Sequence, residues 1–217
     1  LVAALAGQKI QSNEDPRSVG ESIFFYGRCF ASLAVLIGCF AVTLQALFMD
    51  KTTMWEGVPA WLAVVVFFFL MSVVGMLEGM QIAFFAVAKI PASERGDSMW
   101  SKKTCELLFR GEGYNMPGFM IGRQLCVVSC MFFIARVTSV DIQGDEDNIF
   151  GVNDGLQELF ATGLLGALIT TICASISWQL VASAFPIAFL SNPITYFLLR
   201  LCLLLEMTGL CGAAWLI

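Results

Sequence analysis

The sequence predicts an all-α fold: a polytopic membrane helix bundle of about five transmembrane helices, forming one unit of an inverted repeat. Three observations predict it. Of 217 residues, 58% are hydrophobic and only 13% are charged. A soluble domain carries about 25% charge, so a soluble fold of this composition could not cover its surface. The apolar residues fall into five runs, each long enough to cross about 30 Å of hydrocarbon, which takes about 20 residues. The basic residues gather in alternate loops. A soluble enzyme or nucleic-acid binder is thereby set aside, and a net charge of −5 gives no overall basic balance for polyanions. The lack of histidine removes the commonest general base and imidazole metal sites.

Residues 1-22 are polar, carry Lys9 and Arg17 and hold no signal-peptide pattern. They read as a cytoplasmic segment ahead of a membrane domain, 23-217. The first span, 23-49, has Arg28 near its start. The second, 58-90, contains a stretch, 58-77, with no charge at all. The third is 117-140 and the fourth 156-186. The fifth, 193-217, follows the turn signal Ser191-Asn192-Pro193. The chain starts at Leu1 and stops inside an apolar run at Ile217, so it is expected to be a piece of something longer.

The loops orient these spans. Between the second and third lie Lys89, Arg95, Lys102, Lys103 and Arg110. The first loop on the other face has only Lys51. Residues 141-155 have no Lys or Arg, but hold Asp141, Asp145, Glu146, Asp147 and Asp154. The positive-inside rule places the N-terminus and loop 91-116 in the cytoplasm and loop 141-155 outside. Asp145 and Asp147 begin like an EF-hand, but Ile149 and Phe150 take the next ligand and glycine positions, so a solvated outer loop is the better reading. Five spans leave the C-terminal end outside, and a tandem copy of an odd-span unit is inverted. Inverted repeats are the architecture of many secondary transporters, with the solute held where the repeats meet.

Of eight cysteines, only Cys105 lies in a polar loop, so no secreted disulfide framework is expected. Cys126 and Cys130 share a helix face, yet without histidine or a further close cysteine they read as packing residues rather than metal ligands.

The informative residues are the polar ones inside the spans. Glu78 and Gln81 stand three apart in Gly75-Met-Leu-Glu78-Gly79-Met-Gln81, on one helix face. Arg123 and Gln124 stand in Gly118-Phe-Met-Ile-Gly122-Arg123-Gln124. A charge deep in a span costs at least about 2.5–3.5 kcal/mol and normally faces a partner or a water-filled cavity. At about 1.5 Å per residue, Glu78 lies about 16 Å and Arg123 about 9 Å from the same membrane edge, so the two can meet. Gly75 with Gly79 and Gly118 with Gly122 are both small-x-x-x-small pairs, which let helix backbones approach closely. An ion pair that only locks two helices is the plainer reading of the charges. Two glutamines argue for more, because each amide brings two donors and an acceptor that need partners in a dry site. A carboxylate, a guanidinium and two amides suit a small neutral polyhydroxyl solute; phosphate asks for more positive charge, and a metal ion for more carboxylates or thiolates.

Weaker signals remain. Glu206 sits near mid-membrane in the fifth span, where it neutralises Arg123, helps hold a cation or packs against another polar helix. Arg200 is about 120° away from it round the helix. Arg136 and Glu158 lie near span ends and can snorkel. Thr170, Thr171, Ser175 and Ser177 suit a sodium site, although such hydroxyls also bond back to their own helix. Phe67-Phe68-Phe69 reads as packing or lipid contact.

The sequence resembles the diatom silicon transporters, the silicic acid transporter family, at Glu78-Gly79-Met80-Gln81 and Gly122-Arg123-Gln124, its paired E-G-x-Q and G-R-Q signature. Gly163-Leu-Leu-Gly166-Ala-Leu-Ile-Thr-Thr171 and Trp178-Gln-Leu-Val-Ala-Ser-Ala-Phe-Pro186 also resemble it. The resemblance implies ten spans in two five-span repeats, of which this chain is expected to be the N-terminal one; a five-span relative working as a dimer is the alternative. It further implies sodium-coupled uptake of silicic acid across the plasma membrane for silica walls, with no other cofactor. Glu78, Gln81, Arg123 and Gln124 would contact or gate the solute, and Gly79 and Gly122 would permit close backbone approach. Its expected partners are silicic acid, sodium, the bilayer and a second repeat or dimer partner. The competing readings are a passive channel or sensor for the same solute, and a structural assembly protein. An intramembrane enzyme is remote, since no histidine and no paired intramembrane aspartate is available.

Overall fold

The computed structural model describes residues 18-55, 57-111, 113-142 and 148-216. Lys9, Arg17, Asp145, Glu146 and Asp147 therefore lie outside the described residues, as do most of the polar segment 1-22 and the centre of loop 141-155. The described chain is helical, with a single isolated bridge between Thr52 and Val140.

Four helices are long and apolar enough to cross a membrane, which makes the fold an all-α membrane bundle. Helix α1, Val19–Phe48, starts at a capping box: the Ser18 hydroxyl accepts from the Glu21 amide while the Glu21 carboxylate accepts from the Ser18 amide. Its buried residues, Cys39, Val42, Thr43, Ala46 and Leu47, all fall in its second half. Helix α2, Ala60–Ala88, runs back and supplies much of the core, including Phe67, Leu77, Met80 and Phe84. A short helix α3, Met99–Leu108, capped by Ser98, fills the basic loop. Helix α4, Asn115–Thr138, returns antiparallel to α2. The end of the bundle where α2 stops and α4 starts is called here the near end; the opposite end is the far end.

At the far end the α1–α2 loop is stitched to the segment after α4. The Thr53 amide donates to the Ser139 carbonyl and the Asp141 amide to the Lys51 carbonyl, both at 3.0 Å. Helix α5, Asp154–Ala161, is capped by Asn153 and separated from the next helix by Gly163, whose φ of +79° favours glycine. The expected fourth span thus begins later, as helix α6, Leu164–Ala184. Its residues Thr170–Ile176 are wound as a π-helix, which the apolar pattern does not announce.

The run expected as the fifth span, 193-217, is helical over only part of its length. Phe185 interrupts the helix, Pro186 opens a one-turn helix α7, Pro186–Leu190, and Asn192 caps helix α8, Pro193–Met207. Helix α8 has 15 residues, a rise of about 22 Å, short of the hydrocarbon thickness. The Thr208 hydroxyl then donates to the Leu205 carbonyl at 2.6 Å, and Gly209 turns away at φ +74°. Ile187 lies over Gly96 just after α2, and the Trp215 ring lies 6.4 Å from that of Tyr114 just before α4. The segment from α7 to Trp215 therefore begins and ends at the near end. Cys202 sits at Gly122 and Glu206 at Gly118, so α8 meets α4 in antiparallel order. Among the described residues, four helices are long and apolar enough to cross a membrane, and α8 falls short of that length.

Candidate functional site

The α2–α4 hairpin brings the two motifs together. Glu78 is 10 residues before the end of α2 and Arg123 is 8 residues into α4, about 15 Å and 12 Å from the near end. Level with one another, they form an ion pair: Arg123 Nη1 donates to Glu78 Oε1 at 2.9 Å, with the side chains 8% and 15% exposed. Such a pair neutralises two charges that would each be costly alone in hydrocarbon.

The pair is the middle of a longer chain. Arg123 Nη2 donates to Gln124 Oε1 at 3.0 Å. At the other side, Gln179 Nε2 of α6 donates to Glu78 Oε2 at 3.0 Å. Four polar side chains from three helices thus join end to end, with no net charge. Spare capacity remains: Arg123 Nε is buried without a partner, and one face of each glutamine amide is uncommitted. Gln81 is half-buried one turn from Glu78 and makes no side-chain hydrogen bond among the described residues. The Gln124 side chain is exposed on the bundle surface.

The glycines do not bring the two motif helices against each other, as their spacing suggests. Each pair receives a different helix. Gly75 takes the Trp178 indole of α6, and a methyl group there would overlap it; Gly79 takes the Phe189 ring and the Trp178 carbonyl. Gly122 lies directly under the Cys202 carbonyl of α8, where a Cβ has no room, while Gly118 meets Leu203 and Glu206 at ordinary contact distance. Close approach of α6 to α2 is what lets Gln179 reach Glu78.

Other expected residues fall elsewhere. Glu206 does not neutralise Arg123; its Oε1 accepts from Trp215 Nε1 at 2.9 Å. Arg200 Nε donates to the Tyr196 hydroxyl at 3.0 Å. The Thr170 hydroxyl bonds back to Gly166 and Ala167, and that of Ser177 to Ile172, so these two serve their own helix. Arg136 stacks over Trp55 at the far end. Both line an open cavity of about 1060 Å³ with Asp50, Thr52, Thr53 and Asp141; none of the motif residues lies in it.

Gln179 escapes a reading based on the two signatures. The signal that finds it is the one that found Gln81 and Gln124: an amide inside an apolar run, whose hydrogen-bonding groups need partners there.

A family model for silicon transporters matches residues 1–217. No curated protein and no solved structure matches the chain.

Proposed function

The chain belongs to the silicon transporter family, and from that premise we propose that it moves silicic acid across the plasma membrane, coupled to sodium, through the polar chain Gln179–Glu78–Arg123–Gln124. The observation that carries this reading is the charge-neutral chain of side chains with hydrogen-bonding capacity left over, set among apolar helices. A neutral solute bearing four hydroxyls both donates and accepts, and it asks for amides and a compensated ion pair rather than net charge. Gln81, one turn along α2, extends the same face. Sodium bound near the solute would favour one access state and so couple its gradient to uptake. Glu206, which accepts a hydrogen bond from Trp215, would serve as an ion or coupling residue.

The near end, with Lys89, Arg95, Lys102, Lys103 and Arg110, is assigned to the cytoplasm and the far end to the outside. The exposed Gln124 amide would be costly against lipid. We assign its cover to a second repeat or a second copy, so that solute passes where two units meet. The test is uptake by the protein reconstituted in vesicles. Gln124→Leu should abolish sodium-driven silicic acid uptake while the melting temperature stays within a few degrees of the parent. Normal uptake by this variant would remove Gln124 from the site. Uptake that never exceeds the outside concentration would point to a channel instead.

A further inference from the structure

Gln179 stands outside both signature motifs, yet it closes the polar chain from a third helix. Its amide has a fixed orientation. Glu78 Oε2, 3.0 Å away, is a carboxylate oxygen and accepts only. The reverse orientation would set the amide oxygen against it, acceptor facing acceptor. Glu78 cannot turn to relieve such a clash, because its other oxygen is held by Arg123. Nε2 therefore points at Glu78, and Oε1 is left as a carbonyl acceptor with no partner among the described residues.

Two features of the fold hold this acceptor in place. Trp178, the preceding residue, is seated on Gly75, and its carbonyl lies against Gly79, so the backbone at this level of α6 cannot shift sideways. Three residues earlier the helix leaves its π-wound segment, Thr170–Ile176. π-Turns inside α-helices are rare and occur frequently at functional sites. This one sets the phase of the turn that follows, since one residue of register is worth about 100° of rotation.

We propose that Gln179 is a solute-contacting residue: its Oε1 accepts a hydroxyl hydrogen of silicic acid, while its Nε2 stays bonded to Glu78. The proposal rests on the transport reading above. A fixed carbonyl acceptor beside a carboxylate selects a solute that still carries its protons. A deprotonated oxygen directed at Gln179 would meet a lone pair and the Glu78 charge behind it.

The test separates contact from support by variants that donate but cannot accept. Gln179→Met removes both functions. Gln179→Lys keeps a donor for Glu78 and has no acceptor, and Gln179→Arg plays the same part if the lysine variant fails to fold. In vesicles, Gln179→Met and the donor-only variant should each raise the KM for silicic acid by about tenfold, the worth of one hydrogen bond. The maximal rate should stay near the parent value, as should the melting temperature of Gln179→Met, whereas the donor-only variants add a charge and are expected to melt lower. A wild-type KM in Gln179→Met overturns the proposal. So does a wild-type KM in the donor-only variant alongside a raised KM in Gln179→Met, because Gln179 would then serve only to position Glu78. If the parent protein takes up no silicic acid, the transport reading itself fails, which is a different result from either.

Discussion

At the scale of single residues, the central object is the 2.9 Å pair of Glu78 and Arg123. Removing one partner leaves the other charge uncompensated among apolar helices, which costs about 3–5 kcal/mol where it has been measured for buried pairs. Arg123→Met should therefore lower the thermal stability of the purified protein markedly, whatever the pair does in transport. Exchanging the charges, Glu78→Arg with Arg123→Glu, separates a clamp from a site. The exchange restores the pair and should recover much of the lost stability. It should not recover uptake, because Gln179 and Gln124 would both have to invert their amides and would present the opposite groups to a solute. Parent-level uptake in the exchanged protein would make the pair a structural clamp. The pairing itself was legible in the sequence, because antiparallel helices joined at one end put Glu78 and Arg123 at similar depths. Gln179 was not, since no spacing rule links residues 101 positions apart on helices whose contact is set by tertiary packing.

At the scale of helices, the sequence marks where backbones approach but not what approaches them. Gly75, Gly79, Gly118 and Gly122 were all legible as close-packing positions, and three of them carry a tight contact. Their partners, Trp178, Phe189 and the Cys202 carbonyl, come from α6, α7 and α8, and a small-x-x-x-small pattern carries no address. The difference between Gly122 and Gly118 is testable. A methyl group at Gly122 collides with the Cys202 backbone, which cannot rotate away, so Gly122→Ala should cost about 1–3 kcal/mol by overpacking. At Gly118 the nearest atom, on the flexible Leu203, is 3.5 Å from the added carbon, and Gly118→Ala should melt within about 0.5 kcal/mol of the parent, as substitutions free of strain do. Equal melting of the two variants would mean that α8 does not sit on α4 as described. The π-wound stretch of α6 was illegible for another reason: hydrophobic periodicity reports which residues are apolar, and Thr170–Ile176 differs from an α-helix in winding, not in polarity.

At the scale of the whole molecule, the path of the last forty residues decides the topology. Composition and run length identified a membrane bundle, and four runs became helices able to cross it. The fifth run, 193-217, is apolar enough for a span, but hydropathy does not see that Phe185 and Pro186 interrupt the helix before it or that Gly209 ends α8 after 15 residues. With five crossings, residues near 213 would lie on the face opposite loop 91-116; with four they would lie on the same face, which the contact of Trp215 with Tyr114 favours. Labelling distinguishes the two. In a variant freed of its native cysteines, Ser93→Cys and Ala213→Cys are placed one at a time and exposed to a membrane-impermeant thiol reagent in sealed, oriented vesicles. Both should react from the same side. Reaction of Ala213→Cys only from the side opposite Ser93→Cys would restore a fifth crossing. It would also support the odd-span argument for an inverted tandem copy.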